Sequence, residues 1–209
     1  MLLLTLLVVA VGYLFGSIPN GYIAGRIAGI DVRQHGSGNI GATNVLRVLG
    51  KKWGFAVFFL DALKGFVAVR IALLLVSRVP GAADYAEFYA ILAAAVCVFG
   101  HSFPVWLRFK GGKGVATSAG AIFGVMPIAA VAIFLVWLLV FQITRYVSVA
   151  SVMAAVALPV VVAVLVRSGR TQGMVLLYFS MAMTAMVVWR HRSNFARLRT
   201  GTEQRFTRK

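Results

Sequence analysis

The chain has 209 residues, 61% of them hydrophobic, with a mean hydropathy of +0.90, more apolar surface than a water-soluble fold of this size can hide. Its formal charge of +16 admits nucleic acid, anionic lipid or an anionic substrate, but the basic residues lie between apolar segments and form no aromatic-interleaved stripe, which excludes nucleic acid as a partner. Cys97 is the lone cysteine, so a disulfide framework and a thiolate metal site are both excluded, and a small buried apolar role is its natural reading.

In chain order, the first 25 residues carry no basic n-region and no clear A-x-A cleavage site, and they read as a helix rather than a signal peptide. Hydropathy then marks unbroken apolar segments at 2–25, 53–76, 85–100, 115–143, 147–166 and 173–189. The fourth would be about 43 Å long as one helix, against a hydrocarbon core of about 30 Å. Gly124 and Pro127 near its middle predict a turn and two abbreviated helices.

Charge tests that split. Lys and Arg favour the cytoplasmic side, and parity with seven spans puts the basic tail (Arg190, Arg192, Arg197, Arg199, Arg205, Arg208 and Lys209) on the same side as Arg26, Arg33, Arg47, Lys51 and Lys52, with Arg108, Lys110, Lys113 and Arg145. Only Arg78, Arg167 and Arg170 then fall outside. The expected fold is all-α: a polytopic membrane helix bundle of seven transmembrane helices, N-terminus outside and C-terminus cytoplasmic, forming a single integral-membrane domain over 1–209. A re-entrant hairpin within 115–143 satisfies the same parity. Gly12/Gly16 and Gly21/Gly25 are small residues four apart, expected to serve close packing.

Three clusters share the cytoplasmic face in this topology. In HGSGNIGATNVLR, Gly36, Gly38 and Gly41 match G-x-G-x-x-G, but no strand precedes them and Asp61, the acidic residue twenty positions on, lies inside a span, so the dinucleotide reading fails. What remains is a loop whose backbone N–H groups can converge on an anion, with Ser37, Asn39, Thr43 and Asn44 as further donors and Arg47 as a planar fork for phosphate. The second cluster, FGHSFPVWLRFKGGKGV, combines Gly111, Gly112 and Gly114 with Lys113. It is not a Walker A loop, because Leu107 stands where a glycine is required, yet a nest of N–H groups at a helix start with Lys113 beside it suits a phosphate. The third, RHRSNFARLRTGTE, puts His191 and Asn194 on one face if the last helix continues past Trp189.

Each feature also has a plain explanation: a turn for the glycines, lipid-headgroup anchoring for Arg108, Lys110 and the tail arginines, a hydrogen-bonded structural role for His101, a loop position for His35. Two glycine loops, each with its own cation, exceed what topology requires. Within the second span, Asp61 and Lys64 are three residues apart, which fits a structural ion pair or the support of a substrate cavity; Arg70, nearer the outer side, can snorkel.

On these three motifs, nearly end to end, the chain resembles the bacterial membrane glycerol-3-phosphate acyltransferases that use acyl phosphate as donor. The resemblance implies formation of 1-acyl-sn-glycerol 3-phosphate and inorganic phosphate in the cytoplasmic membrane, with membrane lipids as surroundings, no cofactor and no metal, and a soluble enzyme supplying acyl phosphate. The His-x4-Asp pair of many acyltransferases is missing: the residues five after His35, His101 and His191 are Ile40, Trp106 and Ala196. An acyl phosphate is already an activated anhydride, so orientation and charge neutralisation can suffice. The expected chemistry is direct attack by the glycerol 1-hydroxyl, its proton passing to a phosphate oxygen or to His191. Ser37, Arg47 and Lys113 hold phosphates; Asn39, Thr43, His191 and Asn194 orient the acceptor and reacting carbonyl; His101 braces the second loop. Glu203 either orients basic partners or is a solvated tail residue. The competing classes are an organic-phosphate transporter, against which no inverted repeat is visible, and a non-catalytic membrane scaffold.

Overall fold

A computed structural model of the chain describes residues 1–170 and 174–206. Gly173, at the start of the sixth apolar segment, and the tail residues Arg208 and Lys209 lie outside the described residues. Among the described residues every regular element is helical: α1 Leu2–Ser17, α2 Asn20–Ile27, α3 Ala42–Leu49, α4 Lys51–Ser77, α5 Ala86–Ser102, α6 Val115–Val125, α7 Pro127–Thr144, α8 Val147–Arg167, α9 Met174–Arg190 and α10 Arg192–Arg199, with short 3₁₀ turns at Val32–Gln34, Ala83–Tyr85 and Val105–Leu107. Leu2, Leu3, Phe59, Leu135, Leu139, Val160 and Val164 are exposed on the long helices, as lipid-facing side chains are.

Four stretches are long and apolar enough to cross a membrane: Leu2–Ile27, Ala83–Leu107, Pro127–Thr144 and Val147–Arg167. The pair α9 and α10, bent by 49°, passes the same test only when taken together as one span. The 27 residues of α4 have the length but also carry Lys51, Lys52, Asp61, Lys64 and Arg70. Arg70 is exposed, as a snorkelling side chain is. The 11 residues of α6 make a rod of about 16 Å, roughly half a hydrocarbon core. The break between α6 and α7 falls at Met126, beside the Gly124 and Pro127 that predict it, with Pro127 at the first helical position where its missing N–H costs nothing. One break went unforeseen: the first apolar segment is interrupted at Ile18–Pro19, between α1 and α2.

The chain divides into two compact units, Met1–Met126 and Pro127–Lys209. In the first, α4 packs against α5 and α6, and α1 against α4 and α5. Glycines permit the approach: a Cβ at Gly16 would overlap the Cys97 carbonyl of α5, and one at Gly120 the Ala62 carbonyl of α4. Gly21 and Gly25 serve close packing too, but against the returning loop at Ile40 and Val32. One apolar cluster joins Leu4, Val8, Ala72, Val76, Tyr89 and Ala93. Another joins Ala24, Val32, Ile40, Val45, Val57 and Leu107.

In the second unit α8 packs between α7 and α9. The α7–α8 junction is two residues long, with Arg145 at φ 62°. The tail returns over it: the Phe206 N–H donates to Arg145 O at 3.0 Å, Arg205 Nε donates to Thr144 O at 3.2 Å, and the Phe206 ring meets Phe141 edge-on at 5.8 Å.

Candidate active site

The first glycine loop is held by one buried amide. Asn44, in the second half-turn of α3, accepts the Ser37 N–H on Oδ1 at 2.8 Å and donates through Nδ2 to Val32 O at 3.0 Å and His35 O at 3.1 Å. Gly36, at φ 60°, passes so close that a Cβ there would overlap Asn44 Oδ1, so only glycine fits both the left-handed backbone and the space. Further turns are closed by the Gly38 N–H on His35 O at 3.0 Å and by the Gly41 N–H on Asn39 Oδ1 at 2.8 Å.

This corrects two expectations. The N–H groups of Ser37, Gly38 and Gly41 are bonded inside the loop rather than converging on an anion, and Asn44 spends its amide on the backbone rather than on a substrate. The outward chemistry lies in side chains: the exposed Ser37 hydroxyl, the part-buried Asn39 and, one helical turn apart on α3, Thr43 and Arg47. α3 is preceded by Gly41 at its N-cap, with no side-chain cap. Upstream, hydrogen bonding by the Arg33 guanidinium, 2.6 Å away, holds the Asp31 carboxyl at about 2, and Arg33 stacks 4.6 Å from the Tyr22 ring.

The second loop is folded onto the end of α5. The Gly111 N–H donates to Ser102 O and the Gly112 N–H to His101 O, both at 3.1 Å, so these two donors face protein carbonyls instead of forming the expected nest. His101, buried, lays its ring edge against Gly112, where a Cβ would overlap Nε2. Arg108 and Phe109 take left-handed backbone at φ 51° and 62°, and Gly114, at φ 78°, begins α6 directly after Lys113. Leu107 of this segment sits in the cluster formed by Val32, Ile40 and Val45 of the first loop. The structure therefore brings the two glycine loops, with Arg47 and Lys113, to one end of the first unit.

Asp61 and Lys64 do pair, Nζ to Oδ1 at 2.9 Å, and both are buried. Sequence reasoning missed their partners: Asn20 Nδ2 donates to Asp61 Oδ1 at 3.0 Å, Lys64 Nζ donates to Ile18 O at 2.7 Å, and His101 Nδ1 lies 3.6 Å from Asp61 Oδ1.

His191 and Asn194 belong to the second unit. The last helix does not run on unbroken past Trp189: α9 ends at Arg190, and α10 follows from Arg192 after a 49° bend, with His191 at its N-cap. His191 is buried and its Nδ1 lies 2.7 Å from Val187 O. A carbonyl only accepts, so Nδ1 donates there, and in the neutral tautomer that keeps this bond the lone pair is on Nε2. Asn194 Nδ2 donates to Glu203 Oε1 at 2.6 Å, Ser148 Oγ to the same oxygen at 2.8 Å, and Arg197 Nε to Oε2 at 2.7 Å. Glu203 is thus an orienting residue and not a solvated one. Ser148, one of two serines in the largely apolar α8, gave no sequence signal.

The family described as glycerol-3-phosphate acyltransferase matches residues 6–201. The glycerol-3-phosphate acyltransferase of Synechococcus sp. (strain CC9902) is 46% identical over 210 residues, covering 100% of this chain and 98% of the relative. That of Aquifex aeolicus (strain VF5) is 43% identical over 201 residues, covering 96% of this chain and 98% of the relative. The crystal structure of PlsY (YgiH), an integral membrane glycerol 3-phosphate acyltransferase, in its glycerol 3-phosphate form is 40% identical with a TM-score of 0.86, covering 97% of this chain and 96% of that one. Its lysophosphatidic acid form gives a TM-score of 0.83 at 40% identity, covering 97% and 95%.

Proposed function

Because the chain belongs to the glycerol-3-phosphate acyltransferase family, we propose that it transfers a fatty acyl group from acyl phosphate to the 1-hydroxyl of sn-glycerol 3-phosphate, giving 1-acyl-sn-glycerol 3-phosphate and inorganic phosphate. It is an integral-membrane acyltransferase, which removes the transporter and scaffold readings. The observation that carries the choice of donor is the shared apolar cluster of the two glycine loops, each with its own cation, Arg47 and Lys113. Two cations beside two glycine loops suit a reaction between two phosphate compounds.

Ser37, Arg47 and Lys113 hold the phosphates, which lowers the repulsion between the two anionic substrates. Asn39, Thr43, His191 and Asn194 orient the acceptor hydroxyl and the acyl carbonyl. The hydroxyl oxygen attacks the carbonyl carbon, the bond from that carbon to the phosphate oxygen breaks, and the hydroxyl proton leaves on the phosphate. The His191 Nε2 lone pair supports a hydrogen bond from the attacking hydroxyl. No enzyme-bound acyl intermediate is required, since the anhydride is activated before it binds.

The catalytic face is cytoplasmic in a bacterial inner membrane, in one domain of seven crossings with the N-terminus outside. In that topology α4 is a crossing despite its charges, and α6 crosses together with the irregular segment 111–114 that precedes it. A soluble enzyme that makes acyl phosphate is the partner that this donor demands. The test is direct: purified protein in detergent, given acyl phosphate and glycerol 3-phosphate, yields lysophosphatidate and phosphate in equal amounts. Efficient turnover with acyl-CoA in place of acyl phosphate overturns the donor.

A further inference from the structure

Asp61 lies within α4 and is buried with Lys64, while the other charged residues of that helix, Lys51, Lys52 and Arg70, are exposed. An isolated ion pair in such a place is costly, and a pair of apolar residues of the same volume would pack as well. This pair is not isolated. Three nitrogens surround Asp61 Oδ1, one from its own helix and two from other places in the fold: Lys64 Nζ one turn on (2.9 Å), Asn20 Nδ2 at the start of α2, which donates to it (3.0 Å), and His101 Nδ1 near the end of α5, facing it at ion-pair distance (3.6 Å). Lys64 reaches on to Ile18 O at the α1–α2 break.

The contacts of His101 continue the path. With Nδ1 turned toward Asp61, the opposite edge of the ring, Nε2, presses on Gly112, and the His101 carbonyl takes the Gly112 N–H at 3.1 Å. The ring is gripped between a buried carboxylate and a glycine that leaves no room for a methyl group. Lys113 is the next residue, and α6 starts two residues further on. A rotation of the His101 ring would therefore displace the backbone that carries Lys113.

We propose that Asp61 is a positioning residue for the acyl transfer: it orients His101, which sets the Gly112–Lys113 backbone and so the phosphate-holding Lys113 ammonium. Lys64 and Asn20 balance the carboxylate and tie it to the α1–α2 break. The inference rests on the reading that Lys113 holds a substrate phosphate. A misplacement of about 1 Å transmitted to a binding cation is enough for a loss of tenfold to 10²-fold.

The experiment compares Asp61→Asn, His101→Gln, the two together, and Lys113→Ala, as purified protein in detergent with acyl phosphate and glycerol 3-phosphate varied separately. Asp61→Asn keeps the volume and an oxygen for Asn20 while removing the charge that His101 faces. Asp61→Asn and His101→Gln are each expected to lower kcat/KM about tenfold or more, and to raise KM for the same phosphate substrate whose KM rises in Lys113→Ala. The double variant is expected within about twofold of His101→Gln alone, because both act on one path. Multiplying losses, or wild-type kinetics in Asp61→Asn, overturn the inference while a damaged Lys113→Ala leaves the phosphate site standing. Wild-type kinetics in Lys113→Ala remove the phosphate site and the inference with it. Should Asp61→Asn fail to fold, Asp61→Glu keeps the charge and shifts it by one methylene. The same KM signature supports the path, and unchanged KM with a lowered melting midpoint reduces Asp61 to a structural residue.

Discussion

The amide nitrogen of Asn194 is bound to Glu203, Nδ2 to Oε1 at 2.6 Å, and this fixes which end of the amide faces which way. The nitrogen is turned to the tail, so the oxygen, an acceptor, is turned away from it. Ser148 and Arg197 complete the set of donors on Glu203 and leave its carboxylate little reason to move.

Glu203 makes the tail sensitive to acid. Burial by itself raises the carboxyl, but the hydrogen bonds from Asn194, Ser148 and Arg197 outweigh it and hold the group below its ordinary value. A depressed folded-state value contributes stability in full above the unfolded value of about 4.3, and the contribution is lost as pH falls through the folded value. The melting midpoint in detergent should therefore drop below about pH 4.3 more steeply in the wild type than in Glu203→Gln. At pH 7 the Gln variant should be less stable by about 1–3 kcal/mol, the cost of weakening a buried set of charged hydrogen bonds. Identical acid limbs would show that Glu203 does not hold the tail.

Asn44 offers a second test, because one amide both donates and accepts. Asn44→Asp can still accept the Ser37 N–H but cannot donate to Val32 O and His35 O. It should damage the loop about as much as Asn44→Ala, at about 1–3 kcal/mol for the stranded buried groups. Gly36→Ala should match both, since its Cβ needs the space of Asn44 Oδ1. Amide exchange over 32–41 is the readout; slow exchange retained in Asn44→Asp would contradict the clasp.

The long elements were legible because lipid imposes a simple code: α5, α7 and α8 begin and end within two residues of the apolar runs or of the Gly124–Pro127 break that mark them. The α1–α2 break was not, since Ser17, Pro19 and Asn20 are a short interruption in a segment whose mean hydropathy still marks one span. At the candidate site, the residue types were legible and their hydrogen bonds were not. Asn44, read as a substrate donor, is a loop clasp. Composition tells that an amide is present and not which carbonyl it meets. Ser148 and Asn20 escaped because their partners, Glu203 and Asp61, are 55 and 41 residues away in sequence.

Topology is tested with single cysteines at exposed sites in a Cys97→Ala background. Ser37, Lys110 and Thr202 are exposed and belong to the three motif segments, and Ser168 ends α8 on the opposite side in a seven-crossing chain. Cysteines at Ser37, Lys110 and Thr202 should react from the cytoplasmic side and one at Ser168 from outside. Labelling of Thr202→Cys from outside alone would remove the seventh crossing and separate His191 from the two glycine loops across the membrane.

The last question is how much acid–base chemistry the enzyme itself supplies. If charge placement dominates, Arg47→Ala or Lys113→Ala should cost about 10²-fold or more in rate, the scale of a preorganised donor removed from a partly dehydrated site. His191 is the candidate base of the third motif, its Nδ1 2.7 Å from Val187 O. His191→Asn keeps an amide at the site but no group that protonates near neutral pH. With the leaving phosphate as proton acceptor, this variant should keep a measurable fraction of the activity and the wild-type pH dependence. An obligatory base would instead cost about 10²-fold to 10⁴-fold. A collapse of that size, at saturating substrates in a variant with a wild-type melting midpoint, moves the proton from the phosphate to His191 Nε2.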